Sequence, residues 1–72
     1  MADKKLEFEI TRHIAVIKEG KWDLELNKVA WNGNPEKYDL RTWNKDHTTP
    51  GKGVTMTREE AARLYEALEE II

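Results

Sequence analysis

The sequence predicts an α+β domain in which four antiparallel strands precede one C-terminal helix (ββββα). Three observations carry that prediction. Apolar and polar residues alternate through Leu6–Lys18 and again through Trp22–Trp31. An Asn-Gly-Asn-Pro turn then leads into a third alternating stretch, and a helix-capping pattern at Thr57 opens a run of 3.6-residue periodicity. At 72 residues the chain is read as a single domain spanning 1–72.

Residues 1–5 are polar and read as a frayed terminus. From Leu6 to Lys18, Phe8, Ile10, Ile14 and Val16 fall on one parity, with Glu7, Glu9, Thr11 and His13 on the other. This is the pattern of a half-buried strand. Arg12 sits on the apolar parity, so a bulge or an edge position is expected there. His13, on the polar side, reads first as a solvated residue and only second as a ligand or base.

Glu19-Gly20-Lys21 is a short hairpin turn. In the strand that follows, Trp22, Leu24 and Leu26 alternate with Asp23, Glu25 and Asn27, and the strand can run to Trp31. Continued parity puts Val29 and Trp31 opposite Leu24. Asn32-Gly33-Asn34-Pro35 closes the strand, because Asn and Gly tolerate positive φ and Pro35 forces Asn34 to be extended. Next, Tyr38, Leu40 and Thr42 face one way and Asp39, Arg41 and Trp43 the other. With Tyr38 and Leu40 on the core side, Trp31, Arg41 and Trp43 share an exposed face.

Asn44–Gly53 (N-K-D-H-T-T-P-G-K-G) reads as a basic loop with a Pro-Gly turn, and Val54-Thr55-Met56 as a short edge strand. Thr57 and Glu60 form a capping box, and Glu59 and Glu60 suit the first turn of a helix from Arg58 to about Glu70. Ala61, Leu64, Leu68, Ile71 and Ile72 make one apolar stripe with Tyr65 beside it. That stripe is wide enough to cover a sheet or meet a twin helix.

A chain of this size has a small core, and with no cysteine neither a disulfide nor a thiolate metal site supplements it, so a homodimer is expected. No long apolar run suggests a leader or a membrane span, which places the chain in the cytoplasm. The net charge of −2 is unevenly distributed. From Arg58 onward five glutamates face two arginines, whereas Lys37–Lys52 carries four cations against Asp39 and Asp46. A polyanion can therefore meet one face while the acidic helix lies elsewhere.

Enzymatic signatures are missing. The chain has no cysteine and no serine, only His13 and His47 could act as bases, and Gly51-Lys52-Gly53 lacks the strand-loop-helix context of a phosphate loop. No cofactor or metal is expected, since the spacing of the histidines and carboxylates matches no ligand pattern. What remains is a sheet face with aromatics among cations, which suits single strands: bases stack on rings while Lys and Arg follow the phosphates. Duplex readers present a helix or ribbon to a groove, and this helix is acidic. The bland alternative treats Trp31 and Trp43 as cross-strand neighbours that protect a small sheet. A second alternative is a protein-interaction module using the same aromatic face.

Asp39–Trp43 (D-L-R-T-W), Pro50–Thr57 (P-G-K-G-V-T-M-T), the helix R-E-E-A-A-R-L-Y-E-A-L and the preceding K-V-A-W-N-G (Lys28–Gly33) together resemble the core of the transcriptional positive cofactor four family. The whole chain is similar to its short bacterial YdbC-type members. The resemblance covers nearly everything from Trp22 onward. It implies a homodimer of two curved sheets whose β-ridges, backed by paired helices, bind single-stranded DNA with little sequence preference. Single-stranded RNA is a second candidate ligand, and transcription or DNA maintenance the expected setting.

By the same resemblance, Trp31 falls at the stacking aromatic of the hairpin, Arg41 at the ridge arginine and Lys52 at a basic position of the Pro-Gly loop. The family's second ridge aromatic aligns with Asn44, leaving neighbouring Trp43 as its substitute. The serine- and lysine-rich tail of eukaryotic members has no counterpart here, so their activator contacts are not implied. The expected nucleic-acid-binding set is Trp31, Arg41, Trp43, Lys28, Lys37, Lys45 and Lys52.

Overall fold

The computed structural model describes residues 7–72, so the expected frayed segment 1–5 lies outside it. The elements are β1 (Phe8–Lys18), β2 (Asp23–Trp31), β3 (Lys37–Trp43), β4 (Pro50–Met56) and α1 (Arg58–Ile71). The strands form one antiparallel sheet in sequence order, the ββββα arrangement expected from the alternation and the capping box.

The β2–β3 turn works as its residues dictate. Asn32 and Gly33 both take positive φ, 51° and 77°, and the Asn34 N–H donates to the Trp31 carbonyl at 2.9 Å. At the helix start, the Glu60 N–H donates to Thr57 Oγ1 at 3.1 Å and the Thr57 N–H to Glu60 Oε1 at 2.8 Å.

Two differences from the sequence reading have local causes. β4 begins at Pro50, so Gly51-Lys52-Gly53 is strand rather than loop. Pro50 stands at the first residue of an edge strand, where its missing N–H removes no ladder bond, and the register shift between Arg41 and Trp43 accommodates the extra residue. In β1 the register against β2 slips three times, between Ile10 and Arg12, His13 and Ala15, and Val16 and Lys18. The bulge expected near Arg12 is the first of these. Each slip breaks the two-residue period, so His13 stands opposite Asn27 and shares its face with Ile10 and Val16, not with Glu9 as simple alternation predicts.

Cross-strand partners share a face, and two sets of rows result. One face carries Phe8 with Trp31; Ile10, Val29 and Lys37; His13, Asn27, Asp39 and Thr55; Val16, Glu25, Arg41 and Gly53; and Asp23 with Trp43. The outer face carries Arg12, Lys28, Tyr38 and Met56, then Ala15, Leu26, Leu40 and Val54, then Leu24 and Thr42.

Trp31 and Trp43 lie at opposite ends of the β2–β3 ladder, since Trp43 pairs with Asp23. Eight residues of extended strand span about 26 Å, yet the two indoles are 6.2 Å apart and within 10° of parallel. The first face therefore curls into a trough, and its side chains converge. Within it Val29 and Trp43 are fully buried, as are the polar side chains of Asn27 and Asp39, with Glu25 nearly so. α1 touches β3 and β4 only and buries none of its residues.

Candidate nucleic-acid interface

Arg41 is the most constrained side chain of the trough. Its Nε donates to Asp39 Oδ1 at 2.6 Å, one η nitrogen donates to the Gly51 carbonyl at 3.1 Å and the other to Thr55 Oγ1 at 3.3 Å. Thr55 in turn donates to Asp39 Oδ2 at 3.0 Å, and the Trp31 Nε1–H reaches the same oxygen at 3.2 Å. The Asp39 carboxylate is thus buried only because each of its oxygens is satisfied. The guanidinium lies over the Trp31 indole, 4.7 Å from the ring centroid. Gly53 stands directly opposite Arg41, where a Cβ would collide with the Arg41 Cβ and the Leu40 carbonyl. Only glycine leaves room for this arginine.

The two tryptophans expected on the face are both there, with different exposure. Trp31 is half-buried and lines an open cleft of about 400 Å³ together with Asn32, Arg41, Pro50, Gly51 and Thr55. Trp43 does not emerge as expected: it is 0% exposed, with Trp31 stacked against it, Phe8 tilted at 5.1 Å and His47 at 5.9 Å. The curl brings Phe8 and Trp31 over it from the far end of the sheet. Its Nε1 has no hydrogen-bond partner among the described residues, so packing alone holds the ring. Trp43 therefore backs Trp31 and offers no surface to a ligand.

The lysines divide among three settings. Lys37 is exposed in the trough row of Val29, next to Trp31. Lys52 is exposed on β4 beside the bulge. Lys45 is exposed and bonds Asp23 at 2.8 Å. This ammonium, with the Gly20 N–H, holds the Asp23 carboxyl below the usual carboxylate range. Lys28 is not part of the trough: it belongs to the outer face, 5.1 Å from the Tyr38 ring centroid and 3.7 Å from Glu36. Its even parity with Leu24 and Leu26 already carried that signal.

Alternation understated a polar relay beside Arg41. His13 Nδ1 lies 2.7 Å from Asn27 Oδ1, the Asn27 amide donates to Glu25 Oε1 at 3.1 Å, and His47 Nε2 lies 2.8 Å from Glu25 Oε2. Both histidines thus converge on one buried carboxylate from β1 and from the β3–β4 loop. His47 takes φ 58° in that loop. Asn44 organises it: its Oδ1 accepts from the Thr48 and Thr49 N–H groups, both at 2.9 Å. No group of three metal-ligating side chains occurs among the described residues, and no described helix is long and apolar enough to cross a membrane.

A protein of Treponema pallidum (strain Nichols) described as uncharacterized is 44% identical over 63 residues, covering 85% of this chain and 74% of the relative. The family model for Transcriptional Coactivator p15 (PC4) matches residues 18–67, from the end of β1 through most of α1 and including Trp31, Asp39, Arg41 and Thr55. That family is one of single-stranded DNA binding and transcription coactivation. With most of its length matched, and with a relative of this identity, the chain belongs to the Transcriptional Coactivator p15 (PC4) family.

Proposed function

We propose that this protein binds single-stranded DNA along the trough, with Trp31 as the stacking surface and Arg41 as its fixed polar anchor. Lys37, Lys45 and Lys52 follow the phosphates at the rim. The observation that carries the reading is the locked Asp39–Arg41–Trp31 unit facing an open cleft. A side chain held by three hydrogen bonds before any ligand arrives loses little further freedom on binding. Single-stranded RNA fits the same chemistry, since every base has a π face.

The binding unit is a homodimer. On the outer face Leu24, Leu26 and Leu40 are half-buried and Val54 is exposed, while Leu64, Leu68 and Ile71 leave the stripe of α1 open. A patch of this kind on a small domain is a surface for association, and a second copy that covers it leaves both troughs accessible. The role of the complex is in transcription or DNA maintenance.

Fluorescence anisotropy with labelled oligo-dT tests the reading. Binding weakens as salt rises, blunt duplex competes poorly, and Trp31→Ala costs about 1–3 kcal/mol of affinity. Equal affinity for duplex and single strand, or full binding by Trp31→Ala, overturns it.

A further inference from the structure

Resting on that reading, we infer that the Arg41 cleft reads a base and does not clamp a phosphate, and that the base it selects is guanine. A guanidinium clamps a phosphate through its net charge together with its fork of donors, and it is the charge that sets the strength of that grip. Here that charge is already matched by the fully buried Asp39 carboxylate, 2.6 Å from Nε. What Arg41 still has to offer is geometry. Of its five N–H groups three are engaged, and each η nitrogen retains one further N–H.

The other polar atoms around the cleft narrow the choice. The Thr55 hydroxyl is committed to Asp39 and to Arg41, the Trp31 Nε1–H to Asp39, and Asn32 Oδ1 accepts from the Glu7 N–H, which leaves its amide nitrogen as a further donor at the edge of the cleft. The cleft therefore offers paired donors from Arg41 beside the aromatic wall of Trp31 and the ring of Pro50. The ligand edge that answers paired donors is one with two adjacent acceptors. Guanine presents O6 and N7 in that relation, the commonest bidentate partner of arginine, whereas adenine offers a donor next to its N7 and thymine O4 has the N3–H donor beside it; cytosine, with N3 and O2 adjacent, is the competitor that the assignment must exclude. A base bonded in this way lies in the plane of the guanidinium. It continues the layer that Arg41 already forms over the indole, so stacking and edge recognition act on the same nucleotide.

This inference departs from uniform tolerance: one position of the bound strand is discriminated while its neighbours are not. The test compares oligo-dT with otherwise identical strands carrying one central guanine, adenine, cytosine or 7-deazaguanine, by anisotropy at fixed salt. The guanine strand binds between about five- and one-hundred-fold tighter than the adenine and thymine strands. 7-Deazaguanine, which lacks the N7 acceptor, loses most of that gain, as does Arg41→Lys, which keeps the charge and loses the fork. Lys37→Gln weakens all strands alike and preserves the preference. Equal affinity for all strands, a guanine gain that survives 7-deazaguanine, or an equal gain with cytosine overturns the inference. Since oligo-dT binding is read in the same titration, its presence without a guanine gain refutes the base-reading claim alone, and its loss refutes the single-strand reading itself.

Discussion

The two faces of the sheet reverse the usual relation between polarity and burial. The trough carries the carboxylates of Asp23, Glu25 and Asp39, an asparagine and an arginine, and its central polar groups are the more buried: Asn27 and Asp39 are both 0% exposed. The outer face carries leucine and valine, and its Val54 is 50% exposed. Buried polar groups persist only where every bond is made, so the trough is a preorganised surface. Exposed apolar groups persist where something covers them, so the outer face is a surface for a partner. On the proposed reading, one sheet thus separates ligand recognition from assembly.

One of the two largest breaks in this comparison is at Asp39. Asp39→Ala leaves Arg41 without its counter-charge, and removing one member of a buried pair costs about 3–5 kcal/mol. Urea unfolding should show that loss, toward its lower end because Arg41 keeps some solvent contact. The tryptophans come next, and they separate stability from binding. Trp43→Ala empties a sealed site at a cost of about 3–5 kcal/mol in stability, whereas Trp31→Ala, at a half-buried position, costs less stability and more affinity. Similar melting curves for the two variants would remove the distinction between backing ring and binding ring.

The faces themselves were legible in the sequence; which one is buried was not. Parity placed Trp31, Asp39, Arg41 and Trp43 together, because the side-chain period of a strand is local; the same parity separates Lys28 from them, yet Lys28 was counted among the binding residues. The Asn32-Gly33 turn and the Thr57 capping box were equally legible, each resting on a few adjacent residues. Trp43 was misjudged because its cover, Phe8 and Trp31, arrives from the far end of a curled sheet, and curl depends on contacts between distant residues. His13 is solvated as expected, but its face was misjudged, because three register slips shifted β1 against its partner without any glycine or proline to mark them. Asp39 was overlooked as a positioning residue although its i, i+2 relation to Arg41 placed it on the same face.

Smaller effects sharpen the contrast. Lys37→Gln and Lys52→Gln each reduce the slope of log affinity against log salt by about one, while Lys28→Gln, on the outer face beside Glu36, leaves that slope unchanged. The smallest effect is on pH. Since Lys45 depresses the Asp23 carboxyl in the folded chain, this contact contributes stability above the ordinary carboxylate range and loses it as pH falls through the folded value. Asp23→Asn removes that portion of the acid dependence, read from thermal melts across acidic pH.

The most direct measurement follows the three indole N–H signals of ¹⁵N-labelled protein as oligo-dT is added. Trp31 lines the cleft, Trp43 lies sealed behind it, and Trp22 packs against Gly51 and is 41% exposed. The expected result is a large shift at Trp31, with smaller ones at Trp43 and at Trp22, which touches the cleft only through Gly51. A shift confined to Trp22, with Trp31 unmoved at saturation, would contradict it.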